Sequence, residues 1–293
     1  MSKRTWALFA ATLVSIIYGV TFTIAKDVMP KYVEPFGFIT MRVGGSVLLF
    51  WLVSFFGPKE KIALEDYPRI AAAALFGVAL NMLSFFKGLS LTSPISASVL
   101  MVSTPIIVLV LSAIILKERM QKRMIFGIIL GLIGTAFLIL YGKSSGNASN
   151  PTLGNFLVFV NATSYGLYLV IVKKLMQKYN PFNFAKWIYL IGFIMVLPFG
   201  WSQFQVVDWT SMPMDMYWKI GFVVVFSTFG TYMLNLLSMR ELKPTTVAVF
   251  VYLQPFFATV FAISLGKDEL TLVKIISAIL IFTGVYLVTQ KKG

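Results

Sequence analysis

The sequence predicts an all-α membrane protein of ten transmembrane helices, arranged as two inverted five-helix repeats. Three observations predict it. Hydrophobic residues make up 58% of the 293-residue chain and charged residues only 12%, whereas a soluble domain carries about a quarter charged residues; mean hydropathy is +0.84. The apolar residues fall into runs close to the roughly 20 that a helix needs to cross a bilayer, and no polar stretch between them is long enough for a soluble domain. The second half of the chain also repeats residues of the first in the same order.

The spans follow in order. The first, 6–25, follows Lys3 and Arg4 and is closed by Lys26. Alone it has the outline of a signal peptide, but a second copy later in the chain assigns it to the fold. The second, 36–56, opens after Pro35 and carries Arg42. The third, 69–89, holds Asn81. The fourth, 95–116, starts after Pro94, contains Pro105 and closes at Lys117-Glu118-Arg119. The fifth, 124–141, follows Lys122 and Arg123 and carries Gly127, Gly131 and Gly134. A linker at 143–151 divides a first repeat, 1–142, from a second, 152–293. The sixth span, 153–172, ends at Lys173-Lys174, and the seventh, 182–201, opens after Pro181. The eighth, 217–239, stops at Arg240. The ninth, 245–265, follows Pro244 and contains Pro255; the tenth, 272–289, ends before Lys291 and Lys292.

Orientation comes from the basic residues, which are retained on the cytoplasmic side. Of the 25 Lys and Arg, sixteen fall in segments on the side of the N-terminus. Seven fall on the far side or at its helix edges, and two, Arg42 and Lys186, lie inside spans. Both termini are therefore expected in the cytoplasm of a cell with this chain in its inner membrane, and the linker outside. The formal net charge of +14 is thus mostly a topology signal, and a nucleic-acid partner is not expected.

Tyr18-Gly19 recurs as Tyr165-Gly166, 147 residues later. At the same offset Ile24, Lys26, Met29, Lys31 and Tyr32 return as Ile171, Lys173, Met176, Lys178 and Tyr179. Pro35-Phe36 matches Pro181-Phe182, and Leu80-Asn81 matches Leu234-Asn235. Pro94, Pro105 and Gly134 match Pro244, Pro255 and Gly284, each 150 residues apart. Five spans is an odd number, so the second copy enters the membrane from the opposite side. Inverted repeats of this kind recur in secondary transporters, with the substrate site near the midplane between the halves.

These residues resemble the drug/metabolite transporter superfamily, in its EamA branch, over essentially the whole chain. The resemblance is carried by Tyr18-Gly19 with Lys26, by Arg42, and by Ser93-Pro94-Ile95-Ser96-Ala97-Ser98 before Thr104-Pro105. Lys117-Glu118-Arg119 and the glycines Gly127, Gly131 and Gly134 complete it. It implies an exporter or exchanger of small metabolites, often amino acids. Small multidrug relatives couple to protons through a Glu in the first helix. Here all eleven Asp and Glu sit in loops or at helix ends, so facilitated export or exchange is expected instead.

A polar substrate that leaves water at the midplane must recover its hydrogen bonds, because an unpaired polar group there costs several kcal/mol. The side chains that lie deep enough are Tyr18, Asn81, Ser98, Thr104, Asn161, Tyr165, Tyr168, Asn235, Tyr252 and Gln254. The tyrosines combine an apolar face with a hydroxyl. Phe85 and Tyr232 are further aromatic candidates for the wall. Against this stands the plainer role of such residues, bonding within or between helices or packing. Arg42 and Lys186 have two readings: a fixed charge for a substrate carboxylate or phosphate, or a side chain reaching back to the nearer interface. Pro105 and Pro255 sit mid-span, where each removes a backbone donor and predicts a kink or local unwinding. The Gly127–Gly131 spacing predicts close packing of helix 5 on helix 10. Trp6, Trp51, Trp187, Trp201 and Trp218 near span ends suit an interfacial belt.

The chain contains neither Cys nor His, which removes disulfides, thiol chemistry and the commonest zinc ligand. No metal or cofactor is expected. A membrane enzyme would want clustered acids or His at the interface, and a channel would want charged rings or a filter loop. What remains is a secondary transporter whose partners are a small-molecule substrate and the surrounding lipid. Amino acids are the first candidates, and a sugar-nucleotide or phosphate-ester exchanger is the alternative, though it would want several converging cations. Oligomeric state is left open, with a monomer favoured.

Overall fold

The computed structural model describes residues 2–29, 31–57, 60–91, 100–117, 121–140, 150–264 and 272–290. Among them the chain is helical throughout and has no strand. Ten helices follow one another. They are α1 (Lys3–Val28), α2 (Pro35–Ser54), α3 (67–91), α4 (Thr104–Ile115), α5 (Lys122–Leu140), α6 (Pro151–Lys178), α7 (Pro181–Gln205), α8 (214–241), α9 (244–264) and α10 (Leu272–Thr289). Six stretches, in α1, α2, α3, α6, α7 and α8, are each long and apolar enough to cross a membrane unaided. The chain is a multi-pass membrane protein.

Helix starts follow local chemistry. Pro35, Pro151, Pro181 and Pro244 occupy the first turns of α2, α6, α7 and α9, where a missing N–H costs nothing. Asn150 accepts from the Leu153 amide at 3.2 Å and Asn180 from the Phe182 amide at 3.1 Å. α1 and α6 run several residues beyond the expected spans, because helical bonding continues past the apolar stretch into the charged ends. The expected fourth span is described as a helix only over Thr104–Ile115; Pro94 and Ser98 lie outside the described residues, as does nearly all of the linker.

Three helices change their winding. α3 is π-helical over Leu75–Ala79 and α8 over Val223–Gly230. α9 tightens to a 3-10 turn at Phe250–Tyr252, just before Pro255. In α4 the helix restarts at Thr104-Pro105 after a turn at Val102 and Ser103. The regular winding is thus interrupted before both prolines, by a turn ahead of Pro105 and by a tightening, not an unwinding, ahead of Pro255. Such changes leave carbonyls that must be satisfied within the bundle. Phe76 O accepts from Ser164 Oγ at 2.7 Å, Gly77 O accepts from the Tyr232 hydroxyl, and Phe250 O accepts from Ser15 Oγ at 2.8 Å.

The interior is largely apolar but admits small hydroxyl side chains, and the outward face is apolar too. Ser46, Ser112, Thr135, Ser238 and Ser277 are fully buried, while Leu48, Phe56, Ile114, Phe156 and Ile194 face outward, where lipid solvates them.

The larger helix contacts mostly recur when each helix of the first half is exchanged with its counterpart five later, while those of α6 with α8 and of α9 with α5, α6, α8 and α10 have no counterpart of like size among the described residues. α1 packs on α8 and α9, as α6 packs on α3 and α4; α2 packs on α8, as α7 packs on α3. α2 with α7, α4 with α9 and α5 with α10 are their own counterparts. The α5–α10 seam has the expected glycines. A Cβ on Gly127 would stand 2.8 Å from Gly284 O, and one on Gly284 would stand 2.6 Å from Gly127 O.

Candidate functional site

A cavity of about 160 Å³ lies inside the bundle, lined from both halves. α1 supplies Tyr18, Thr21, Ala25 and Met29, spaced three to four residues apart so that one face of the helix lines it. α3 supplies Asn81, Met82, Phe85, Phe86 and Leu89, again one face. Arg42 enters from α2, Asn161 and Tyr165 from α6, Ser227 and Tyr232 from α8, and Val251 and Gln254 from α9; Met101 stands ahead of α4.

The cavity occupies the half of the bundle holding the C-terminal ends of α1 and α3. The other half is packed shut. Tyr165 stacks on Tyr168 at 6.1 Å between centroids, Tyr168 meets Tyr232 at 5.9 Å, Tyr232 meets Tyr189 at 5.0 Å, and Tyr189 meets Phe50 at 4.5 Å. Beneath this aromatic floor Ala7, Ile70, Ala74, Val172 and Leu175 have no exposed surface. At the far end of the packed half Asp66 is held by Lys178 at 2.6 Å, by the Tyr179 hydroxyl at 2.7 Å and by Arg69 at 3.2 Å.

Arg42 is 6% exposed. Its Nε donates to Thr228 Oγ1 at 3.1 Å, and that hydroxyl donates to Val223 O at 2.7 Å inside the π-helical part of α8. The guanidinium carbon lies 5.4 Å from the Phe86 ring centre. Asn81 and Asn161 cross-link α3 and α6: the Asn161 amide donates to Asn81 O at 2.8 Å and the Asn81 amide to Asn161 O at 3.4 Å. Among the described residues Asn161 Oδ1 and Ser227 Oγ find no hydrogen-bond partner. Thr231 donates to the Tyr18 hydroxyl at 3.1 Å.

Of the residues chosen from sequence, Tyr18, Arg42, Asn81, Phe85, Asn161, Tyr165, Tyr232 and Gln254 are brought together at this cavity. The other described ones lie elsewhere. Tyr168 is buried in the floor with its ring against Gly77, where a Cβ would come within 2.2 Å of it. Tyr252 is buried in the same way against Gly131, at 2.3 Å. Thr104 is fully buried on α4, which packs on α6 and α9. Asn235 is buried one turn past Tyr232, and Ser98 lies outside the described residues. Lys186 is half-buried away from the cavity lining, with its ammonium 5.1 Å from the Trp51 ring centre. The apolar lining, Met29, Met82, Phe86, Leu89 and Met101, was missed. Its signal was the helical spacing of Met82, Phe85, Phe86 and Leu89 beside Asn81.

The described residues contain no cluster of acidic residues able to hold a metal ion. What the site offers is hydrogen-bonding amides and hydroxyls, one guanidinium and a thioether-rich and aromatic wall, an arrangement for binding an amphipathic small molecule.

Comparison with known proteins agrees with a membrane carrier of this architecture. A solved crystal structure superposes with a TM-score of 0.78, covering 96% of this chain and 95% of the other at 14% identity, which establishes the fold. An uncharacterized transporter of Archaeoglobus fulgidus is 26% identical over 99% of this chain and 100% of its own length. The uncharacterized transporter YyaM of Bacillus subtilis is 23% identical over 92% of this chain and 89% of its own. The model of the EamA-like transporter family matches residues 5–140 and again 152–290, one copy on each five-helix half, and the chain belongs to that family.

Proposed function

We propose that the chain is a secondary transporter that carries a small metabolite through this cavity by alternating access, as an exporter, facilitator or exchanger. Amino acids are the first candidates. The carrying observation is a binding-sized cavity lined by both halves, with an aromatic floor that closes one side of it. The partial exchange symmetry of the helix contacts supports two inverted repeats. In such a pair, a rearrangement that closes the open half and opens the packed half needs no new fold. The π segment of α8 and the 3-10 segment of α9 line the cavity through Ser227 and Val251, where a helix can change direction without breaking its whole ladder.

With both termini in the cytoplasm, the cavity opens outward from the inner membrane. Among the described residues no carboxylate lines the cavity, which supports movement down a substrate gradient without proton coupling. A single guanidinium and a volume of about 160 Å³ suit a small metabolite better than a sugar nucleotide. The test is flux of a radiolabelled amino-acid and metabolite panel in liposomes holding the purified protein. Saturable uptake or counterflow of a panel member supports the reading. Flux no greater than in empty liposomes for every member refutes it.

A further inference from the structure

We propose that the cavity selects a carboxylate monoanion with an apolar, ring-sized body, bound to the Arg42 guanidinium, in preference to a zwitterion of the same shape. The inference rests on this cavity being the transport site, and it moves the first candidates from amino acids to carboxylates without an ammonium group.

Arg42 carries its charge at any physiological pH. A buried, uncompensated charge is costly. Among the described residues no ion pair engages Arg42, and its one hydrogen bond is the Nε–Thr228 contact. That bond, braced by Thr228 on Val223 O, fixes the guanidinium plane, and Phe86 covers it at 5.4 Å. The two terminal nitrogens are left for a planar, two-oxygen acceptor, the geometry in which arginine binds a carboxylate most strongly. A monoanion brings the site to neutrality. A zwitterion leaves the net charge at one, and its ammonium meets only neutral acceptors, since no described carboxylate lines the cavity. A phosphate monoester brings a second charge with no partner.

The rest of the wall specifies the body. Met82, Phe85, Leu89 and Met101 present thioether, aromatic and aliphatic surface, and methionine adapts to irregular apolar shapes. A dry cavity of about 150 Å³ accommodates benzene, so about 160 Å³ is room for a body of about one ring.

The test uses four probes that share a phenyl body: 3-phenylpropionate, L-phenylalanine, 2-phenylethylamine and phenyl phosphate. Their Kd values are measured by calorimetry on the full-length protein in lipid nanodiscs. The expected result is 3-phenylpropionate tightest, by about tenfold or more over L-phenylalanine, the scale of one charge-assisted hydrogen bond. Arg42→Gln should erase that preference and Arg42→Lys should keep part of it. The wild-type ratio decides alone if the variants do not fold. L-Phenylalanine binding equally or tighter overturns the inference, as does phenyl phosphate binding tightest or a preference that survives Arg42→Gln. If no probe binds while the liposomes still carry another metabolite, the substrate class is wrong and the transport reading stands. If neither binding nor flux occurs, both fall.

Discussion

Substituting Gly284 by Ala tests how α5 and α10 are held together. The added Cβ would sit 2.6 Å from Gly127 O, 2.7 Å from Gly131 N and 3.0 Å from Gly131 Cα. All three are backbone atoms, so no rotamer change relieves them; the helices must move apart by a sizeable fraction of an ångström along the seam. Overpacking of this kind costs about 1–3 kcal/mol, and a gap of about 0.5–1 Å gives up a quarter to a half of each neighbouring contact. Alanine returns about 0.8–1.0 kcal/mol of helix propensity, which leaves a net loss of up to about 2 kcal/mol. Gly221→Ala in α8 is the matched control, since nothing lies within 4 Å of the position its Cβ would take. The propensity gain there stands alone. Thermal unfolding of the purified variants by tryptophan fluorescence should place Gly284→Ala below wild type and Gly221→Ala at or above it. Ligand binding per folded molecule should be unchanged in both, because the seam is not part of the cavity lining. Gly284→Ala melting as high as the control would refute close backbone packing at this seam.

Other outcomes follow from the same geometry. Gln254→Leu should cut transport with little change in melting temperature, whereas Asn81→Leu should lower both, because Asn81 also bonds α6; normal flux in both variants would move the hydrogen-bonding site elsewhere. Asp66→Asn should lower the melting temperature by loosening the end of α6 from the start of α3, and an unchanged transition would show the cluster to be idle. A single cysteine placed within 144–150 should react with an impermeant maleimide from outside intact cells, an unobstructed assay because the chain has no Cys; labelling from the cytoplasmic side alone would reverse the proposed orientation. Flux in liposomes should be indifferent to an imposed pH gradient, and substrate-coupled proton counterflow would contradict the uncoupled reading.

Much of the helical fold was legible because the signals were redundant. Apolar runs, prolines at helix starts and lysines at helix ends all mark the same boundaries, and Pro35, Pro181 and Pro244 do so to the residue. The α5–α10 seam was equally readable, since a four-residue glycine spacing has few uses in a membrane helix other than close approach. The changes of winding were only half readable. Pro105 and Pro255 announce theirs by lacking an N–H. The π segments at Leu75–Ala79 and Val223–Gly230 contain no proline. They are accommodated by partners far away in sequence, Ser164 and Tyr232 for the first and Arg42 for the second, and no local pattern records such partners.

The cavity was half legible for a related reason. Depth along a span was taken as the criterion, and depth does not distinguish a side chain facing a cavity from one facing a neighbouring helix. Tyr165 and Tyr168 are separated by one turn of α6 and stack on each other, yet Tyr165 lines the cavity and Tyr168 fills the floor. What decides between them is Gly77 on α3, which has no side chain and so makes room for the Tyr168 ring. Gly131 does the same for Tyr252. In each case a tyrosine and a glycine on different helices form one packing unit, and neither residue alone announces it. On this account Gly77→Ala should disturb the floor first and, through it, the cavity wall. Its Cβ would enter the Tyr168 ring at 2.2 Å, so the ring must tilt toward Tyr165 or Tyr232, its two stacking neighbours. Both line the cavity. A substitution outside the lining would then alter ligand affinity through the floor, which equilibrium binding to Gly77→Ala would show and an unchanged Kd would disprove.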